Sequence, residues 1–218
     1  MQKLRALHLI KNTGMDRPLF LMVAACSLFC LCRLHSTSSR GRDPYYDHAR
    51  EFLQFARDSL LRGERLLVDD RPVKAALVDC EEEVLKDTAL FSAEEIRQLR
   101  TDFQNPKITV WDSTLLHPAV FIPRDSIDSI FSGRHGNDTV VSGKPRPMPV
   151  HDAWQVFYHR YGGGYTGLSA PIFLRDYTYC LFYSANSCGW LCGSGNWSLY
   201  RKENGRWKWV RSWCQWIS

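Results

Sequence analysis

The 218-residue sequence has no G-x-S-x-G nucleophile elbow, no H-E-x-x-H zinc motif and no phosphate-binding glycine motif. That removes the routes by which serine hydrolases, zinc proteases and nucleotide-dependent enzymes announce themselves in sequence. Serine, histidine and aspartate occur, but in no recognisable constellation. No internal repeat is visible. No histidine lies between Cys180 and the C-terminus. A zinc site needs four suitably spaced ligands, so the cysteines there are poor candidates for one. Cys188 and Cys192 are spaced C-x-x-x-C rather than the C-x-x-C of thioredoxin-type redox sites. No apolar run reaches the roughly twenty residues that a membrane-spanning helix needs.

Net charge is also small in the body. The formal net charge is +5, and residues 1–25 (Lys3, Arg5, Lys11 and Arg17 against Asp16) account for +3 of it. The remaining +2 gives no electrostatic reason to expect a nucleic-acid partner. Hydrophobic residues at 44% and charged residues at 23% suit one globular domain behind an N-terminal extension.

What is present begins with residues 19–32 (L-F-L-M-V-A-A-C-S-L-F-C-L-C), an uncharged run flanked by basic residues. Fourteen residues suit a signal-peptide core. Val23-Ala24-Ala25-Cys26 resembles a lipobox, with Cys26 as the lipid-attachment residue, although Ser27-Leu28-Phe29 stays largely apolar afterwards. A short signal anchor and a signal peptide cleaved further on are the alternatives. Each of the three exports the body of the protein. Met15 would be a tidier start than Met1. Residues 1–35 are thus expected to be a signal or anchor, residues 36–43 a polar linker, and residues 44–218 a single α+β domain.

Helices are expected at 44–62, with Ala49, Phe52, Phe55, Ala56, Ser59 and Leu60 on one face and Gly63 as C-cap. A second is expected at 73–86, with short strands at 66–68 and 75–78 as the competing reading. Residues 92–105 are the firmest helix, because Ser92 and Glu95 form a capping box and Asn105-Pro106 stops it. Glu94 and Glu95 read as helix-start chemistry rather than a paired acid site. Residues 107–111 and 119–122 are strand-like, and 126–131 a helical turn. Residues 133–150 read as an exposed loop, and 151–161 as a helix ended by three glycines. His151 and His159 stand about 80° apart around that helix and make a poor metal pair.

Residues 169–218 hold four of the eight cysteines and six of the eight tryptophans. Three antiparallel strands are expected there as a meander, at 178–184, 196–202 and 206–217. Asn204-Gly205 supplies a type I′ turn between the last two. The glycine-rich segment 186–195 is expected to be a loop, pinned by a Cys188–Cys192 disulfide. Alternation puts Trp207, Trp209, Arg211 and Trp213 on one face of the last strand, and Val210, Cys214 and Trp216 on the other. Such a strand is either buried on both sides or displays one tryptophan face. Cys180 and Cys214 read as buried small hydrophobes, with Cys80 left over. Trp190, Trp197, Trp207 and Trp209 are the candidate ligand-binding residues, since flat rings stack on sugars, and dense core packing is the competing reading.

From residue 91 onward the chain resembles a group of uncharacterised bacterial exported and lipoprotein-type cell-envelope proteins, best known from Bacteroidetes-type genomes. The shared pieces are L-F-S-A-E-E-I (90–96), Q-N-P-K-I-T-V-W (104–111) and L-S-A-P-I-F-L-R-D (168–176). The most specific are C-G-W-L-C-G-S-G (188–195), E-N-G-R-W-K (203–208) and the terminal W-I-S. The resemblance implies an exported, often lipid-anchored α+β protein of the periplasm or outer membrane, and supplies no catalytic residue. The expected function is a non-enzymatic binding module, without cofactor or metal, attached to a membrane and directed at a protein or glycan. A glycan-binding module using tryptophan, or a hydrolase with an unrecognised site in 133–150 or 162–167, is the alternative.

Overall fold

A sheet buried on both faces organises the molecule. The computed structural model describes residues 43–61, 65–73, 78–132 and 149–218, all within the compact unit Asp43–Ser218. The expected signal or anchor segment with Cys26, the linker up to residue 42, Gly63 and the loop 133–148 lie outside the described residues.

Helix α1 (Pro44–Ser59) starts where Asp43 accepts a hydrogen bond from the Tyr45 amide, with Pro44 in the first turn. Strand β1 (Leu67–Asp69) precedes α2 (Val78–Leu85) and α3 (Ala93–Gln104). The α3 capping box forms as the sequence predicts: Ser92 Oγ accepts from the Glu95 amide, and Glu95 Oε2 accepts from the Ser92 amide. Then come β2 (Val120–Ile122), α4 (Arg124–Phe131) and α5 (Val150–Tyr161). Gly162, at φ 83°, ends α5 in the left-handed region. Strands β3 (Tyr165–Leu168), β4 (Ile172–Leu174), β5 (Tyr179–Gly189), β6 (Cys192–Glu203) and β7 (Arg206–Ile217) complete an α+β fold.

The sheet order is β2-β1-β3-β5-β6-β7, with β4 also paired to β5. Strands β5, β6 and β7 form the expected meander, and Asn204 and Gly205, at φ 50° and 74°, make its second turn. The sheet is mixed rather than a pure meander, because β1 runs parallel to both β2 and β3. Residues 107–111 form no strand, and Val73 is not helical, while residues 74–77, between it and α2, lie outside the described residues.

Two expectations for the terminal sheet fail for physical reasons. The glycine-rich segment 186–195 is strand apart from the two-residue turn Trp190–Leu191. Its glycines make room across the sheet. A Cβ on Gly195 would lie 2.7 Å from Trp216 Nε1 and 2.8 Å from Ala185 Cβ. Strict alternation on β7 also breaks. The register shifts opposite Leu199/Tyr200 and again opposite Gly195/Trp197, where Cys214 takes φ 51°. Each extra residue turns the following side chains to the other face. Trp207 therefore packs on one side of the sheet and Trp213 on the other.

Helix α1 covers the first face. Phe52 is fully buried there among Phe173, Phe182, Tyr200 and Trp207, with ring centroids 5.1–6.3 Å away. Helices α2 and α3 cover the second face, where Val84, Phe91 and Leu99 meet Leu181, Tyr183, Trp197, Leu199 and Trp213. Burying each large apolar side chain contributes about 1.5–3 kcal/mol. Helices α4 and α5 pack with Leu67 and Ile122 in a third cluster centred on Phe157. Cys80 of α2 is joined to Cys214 of β7, and Cys188 to Cys192. The reading of Cys214 as a buried small hydrophobe is thus corrected, while Cys180 is buried and free. Its thiol, wholly desolvated, is pushed well above the ordinary cysteine value.

Candidate functional site

Between α1, α3 and β4 lies a cleft of about 530 Å³. Its floor is Ala170–Leu174, its wall is Gln98 and Asp102 of α3 with Pro106 and Lys107 just beyond the helix, and its rim is Arg175, Asp176 and Tyr177. Three pieces picked out in the sequence meet here: 104–111 in the wall, 168–176 in the floor and rim, and Glu95 of 90–96 behind the rim.

One edge of the floor pairs with β5, and side chains hold its other backbone groups. The Tyr45 hydroxyl donates to the Pro171 carbonyl at 3.0 Å, and Gln98 Nε2 donates to the Phe173 carbonyl at 2.9 Å. Burial pushes the Tyr45 phenol far above its usual value, so it stays a donor. Gln98 also reaches Asp102 Oδ2 at 3.3 Å. Asp102 is half-buried, and desolvation raises its carboxyl above the ordinary range against the opposing pull of Gln98 and Lys107. A smaller recess behind it is lined by Glu81, Asp102, Ser169 and Trp197, and burial raises the Glu81 carboxyl too.

The rim has an unusual backbone. Arg175, Asp176 and Tyr177 take φ of 52°, 51° and 61° in succession. Each non-glycine residue in the left-handed region costs about 1–2 kcal/mol. The run persists because its neighbours fix it. Arg175 Nε donates to Glu95 Oε1 at 2.7 Å, and its Nη2 donates to the Leu90 carbonyl at 2.7 Å. The guanidinium lies 4.3 Å from the Tyr179 ring centroid. The Tyr177 ring stacks on His48 at 4.1 Å, almost parallel. Strain held in this way concentrates at ligand sites and switches.

The expected site residues lie elsewhere. Trp197 and Trp207 are buried in opposite faces of the core, so they cannot serve together as an open platform. Trp190 and Trp209 are exposed, at 59% and 61%. Trp190 and Leu191 form the turn of the β5–β6 hairpin, directly between the disulfide-bonded Cys188 and Cys192. Among the described residues no group of three or more His, Cys, Asp or Glu is arranged to hold a metal ion. His151 lies beside Asp152 on exposed surface. The acidic cluster at the ends of β1 and β2 has structural work: buried Asp69 pairs with Arg124, and Asp70 Oδ1 accepts from the Arg124 amide at 2.9 Å, pinning the start of α4.

No family model matches the chain, and neither does any curated protein or solved structure. Among the described residues no helix is long and apolar enough to cross a membrane.

Proposed function

We propose that this is an exported, membrane-attached envelope protein whose folded body is a non-enzymatic binding module, with the α1/α3/β4 cleft as its ligand seat. The observation that carries this reading is the clamped left-handed rim, Arg175–Asp176–Tyr177, at the mouth of that cleft. Two disulfides support an oxidising compartment, because cytosolic thiol pools keep such bonds reduced. The apolar segment 19–32 supports membrane attachment. Formal charges at the cleft cancel, with Asp102 and Asp176 against Lys107 and Arg175. This suits a neutral polar ligand that donates hydrogen bonds to Asp102 and lays an apolar face on Tyr177, as a glycan fragment does. The test is titration of the full chain with envelope glycan fragments, followed by calorimetry. Binding that Asp102→Asn and Tyr177→Ala each weaken about tenfold or more supports the reading, since one lost charge-assisted bond is worth about 1.5–3 kcal/mol. Silence across the panel sinks it.

A hydrolase is the second reading, favoured by the raised carboxyl of Asp102 opening into the cleft, which suits a proton donor. Turnover of any fragment, abolished in Asp102→Asn, would replace the binding reading with this one.

A further inference from the structure

The two ends of β5 differ in kind. The Tyr179 end borders the cleft. The Gly189 end carries a projecting turn with Trp190 59% exposed and Leu191 71% exposed, and Ile217 at 88% ends the nearby strand β7. Residues 177–200 and 212–218 contain no Asp, Glu, Lys or Arg. The charged residues of β6 and β7 (Arg201, Lys202, Glu203, Arg206, Lys208 and Arg211) all lie towards the opposite end.

We infer that the Trp190–Leu191 turn is a membrane-contact tip that inserts into the interface of a lipid bilayer. The inference rests on the proposed membrane attachment and is independent of the cleft. Four observations favour lipid over a protein partner. The tip is a convex turn rather than a groove, with an indole and an aliphatic side chain at its apex, the pair that suits the headgroup boundary. Its backbone brings few unpaired polar groups into an apolar medium. Gly189 pairs with Cys192, Tyr158 Oη donates to the Cys188 carbonyl, and Gly193 and Ser218 exchange backbone hydrogen bonds at 3.4 and 3.0 Å. The Cys188–Cys192 disulfide holds the turn in shape before contact, so little ordering entropy is lost on insertion. Only ten residues, 33–42, separate the apolar run from Asp43. Attachment at that run would keep the body at the bilayer, where even weak insertion is favoured by high effective concentration.

All eight tryptophans lie at or beyond residue 111, so indole emission reports on the folded body and never on the apolar segment. The test reconstitutes the full chain in phosphatidylcholine vesicles with or without bromine on the acyl chains, and reads flotation and tryptophan quenching. The expected result is co-flotation, with quenching confined to the share of one indole. Trp190→Phe abolishes the quenching, Trp209→Phe retains it, and Leu191→Asp abolishes it while flotation persists. Far-UV circular dichroism confirms that each variant is folded. Flotation without quenching, or quenching unchanged in Trp190→Phe, overturns the inference and leaves a protein partner as the occupant of the tip. Absence of flotation overturns the attachment reading and the tip with it. Neither result touches ligand binding at Asp102.

Discussion

Cys80 on α2 and Cys214 on β7 are joined across 134 residues of chain, with Cα atoms 5.6 Å apart. The bond ties the second-face helices to the last strand of the sheet. Cross-linking that much chain restricts the unfolded state by about 5 kcal/mol, against about 2 kcal/mol for the four-residue separation of Cys188 and Cys192. The paired variant Cys80→Ser/Cys214→Ser is therefore expected to lower the unfolding free energy by clearly more than Cys188→Ser/Cys192→Ser. Denaturant melts of the two compare them directly. Equal losses would mean that the long bridge restrains little.

Two glycines separate steric from conformational strain. A Cβ on Gly164 would fall 2.3 Å from the Ser187 carbonyl oxygen, where β3 pairs with β5. Gly205 has nothing within 4 Å of its Cβ position but holds φ 74°. Gly205→Ala should cost about 1 kcal/mol. Gly164→Ala should cost at least twice that, because backbone must move. Thermal melts with matched heat capacities check the order.

Asp102→Asn is expected to stabilise the fold while it weakens ligand binding. Burial raises the folded-state value of Asp102, so folding favours its protonated form. Its contribution to stability is complete in acid and falls as pH rises through that raised value. The variant should therefore be more stable than the parent at neutral pH, with the gap closing as pH drops below the ordinary carboxylate range. A gap that is constant with pH would show that Asp102 does not titrate in this way.

Glu95→Gln should behave in the opposite sense. The Arg175 hydrogen bond, with Ser92 assisting, holds the Glu95 carboxyl below its usual value. Its contribution is present above the unfolded-state value and is lost as pH falls through the depressed one. The variant should lose about 1 kcal/mol at neutral pH, the scale of a capping bond, and nothing in strong acid. The same variant unclamps Arg175, so ligand titration should weaken alongside.

Local chemistry made some elements legible and pairing hid the rest. Helix α3 could be read because Ser92 and Glu95 sit three residues apart and cap each other. The β6–β7 turn could be read because Asn204-Gly205 is itself the turn. The shifts at Val210 and Cys214 could not, since a bulge is defined by what lies opposite it. The strand character of 186–195 was hidden because its glycines answer to Trp216, some twenty residues later. The cleft gathers Tyr45, Gln98, Asp102, Lys107 and Tyr177 from distant stretches, so no spacing announces it. The left-handed run at Arg175–Tyr177 left no composition signal either, as it contains no glycine.

Strand β7 has consequences for self-association. It is a twelve-residue terminal strand of the sheet, with a row of backbone donors and acceptors along its outer side. Such an edge templates growth by addition of another molecule's strand. Here the two register breaks divide it into short straight pieces, and Arg206, Lys208 and Arg211 put charged side chains on its first half. A second copy's strand laid along this edge would fall out of step within a few residues. The same irregularities that send Trp207 and Trp213 to opposite faces thus also guard against polymerisation at high local density.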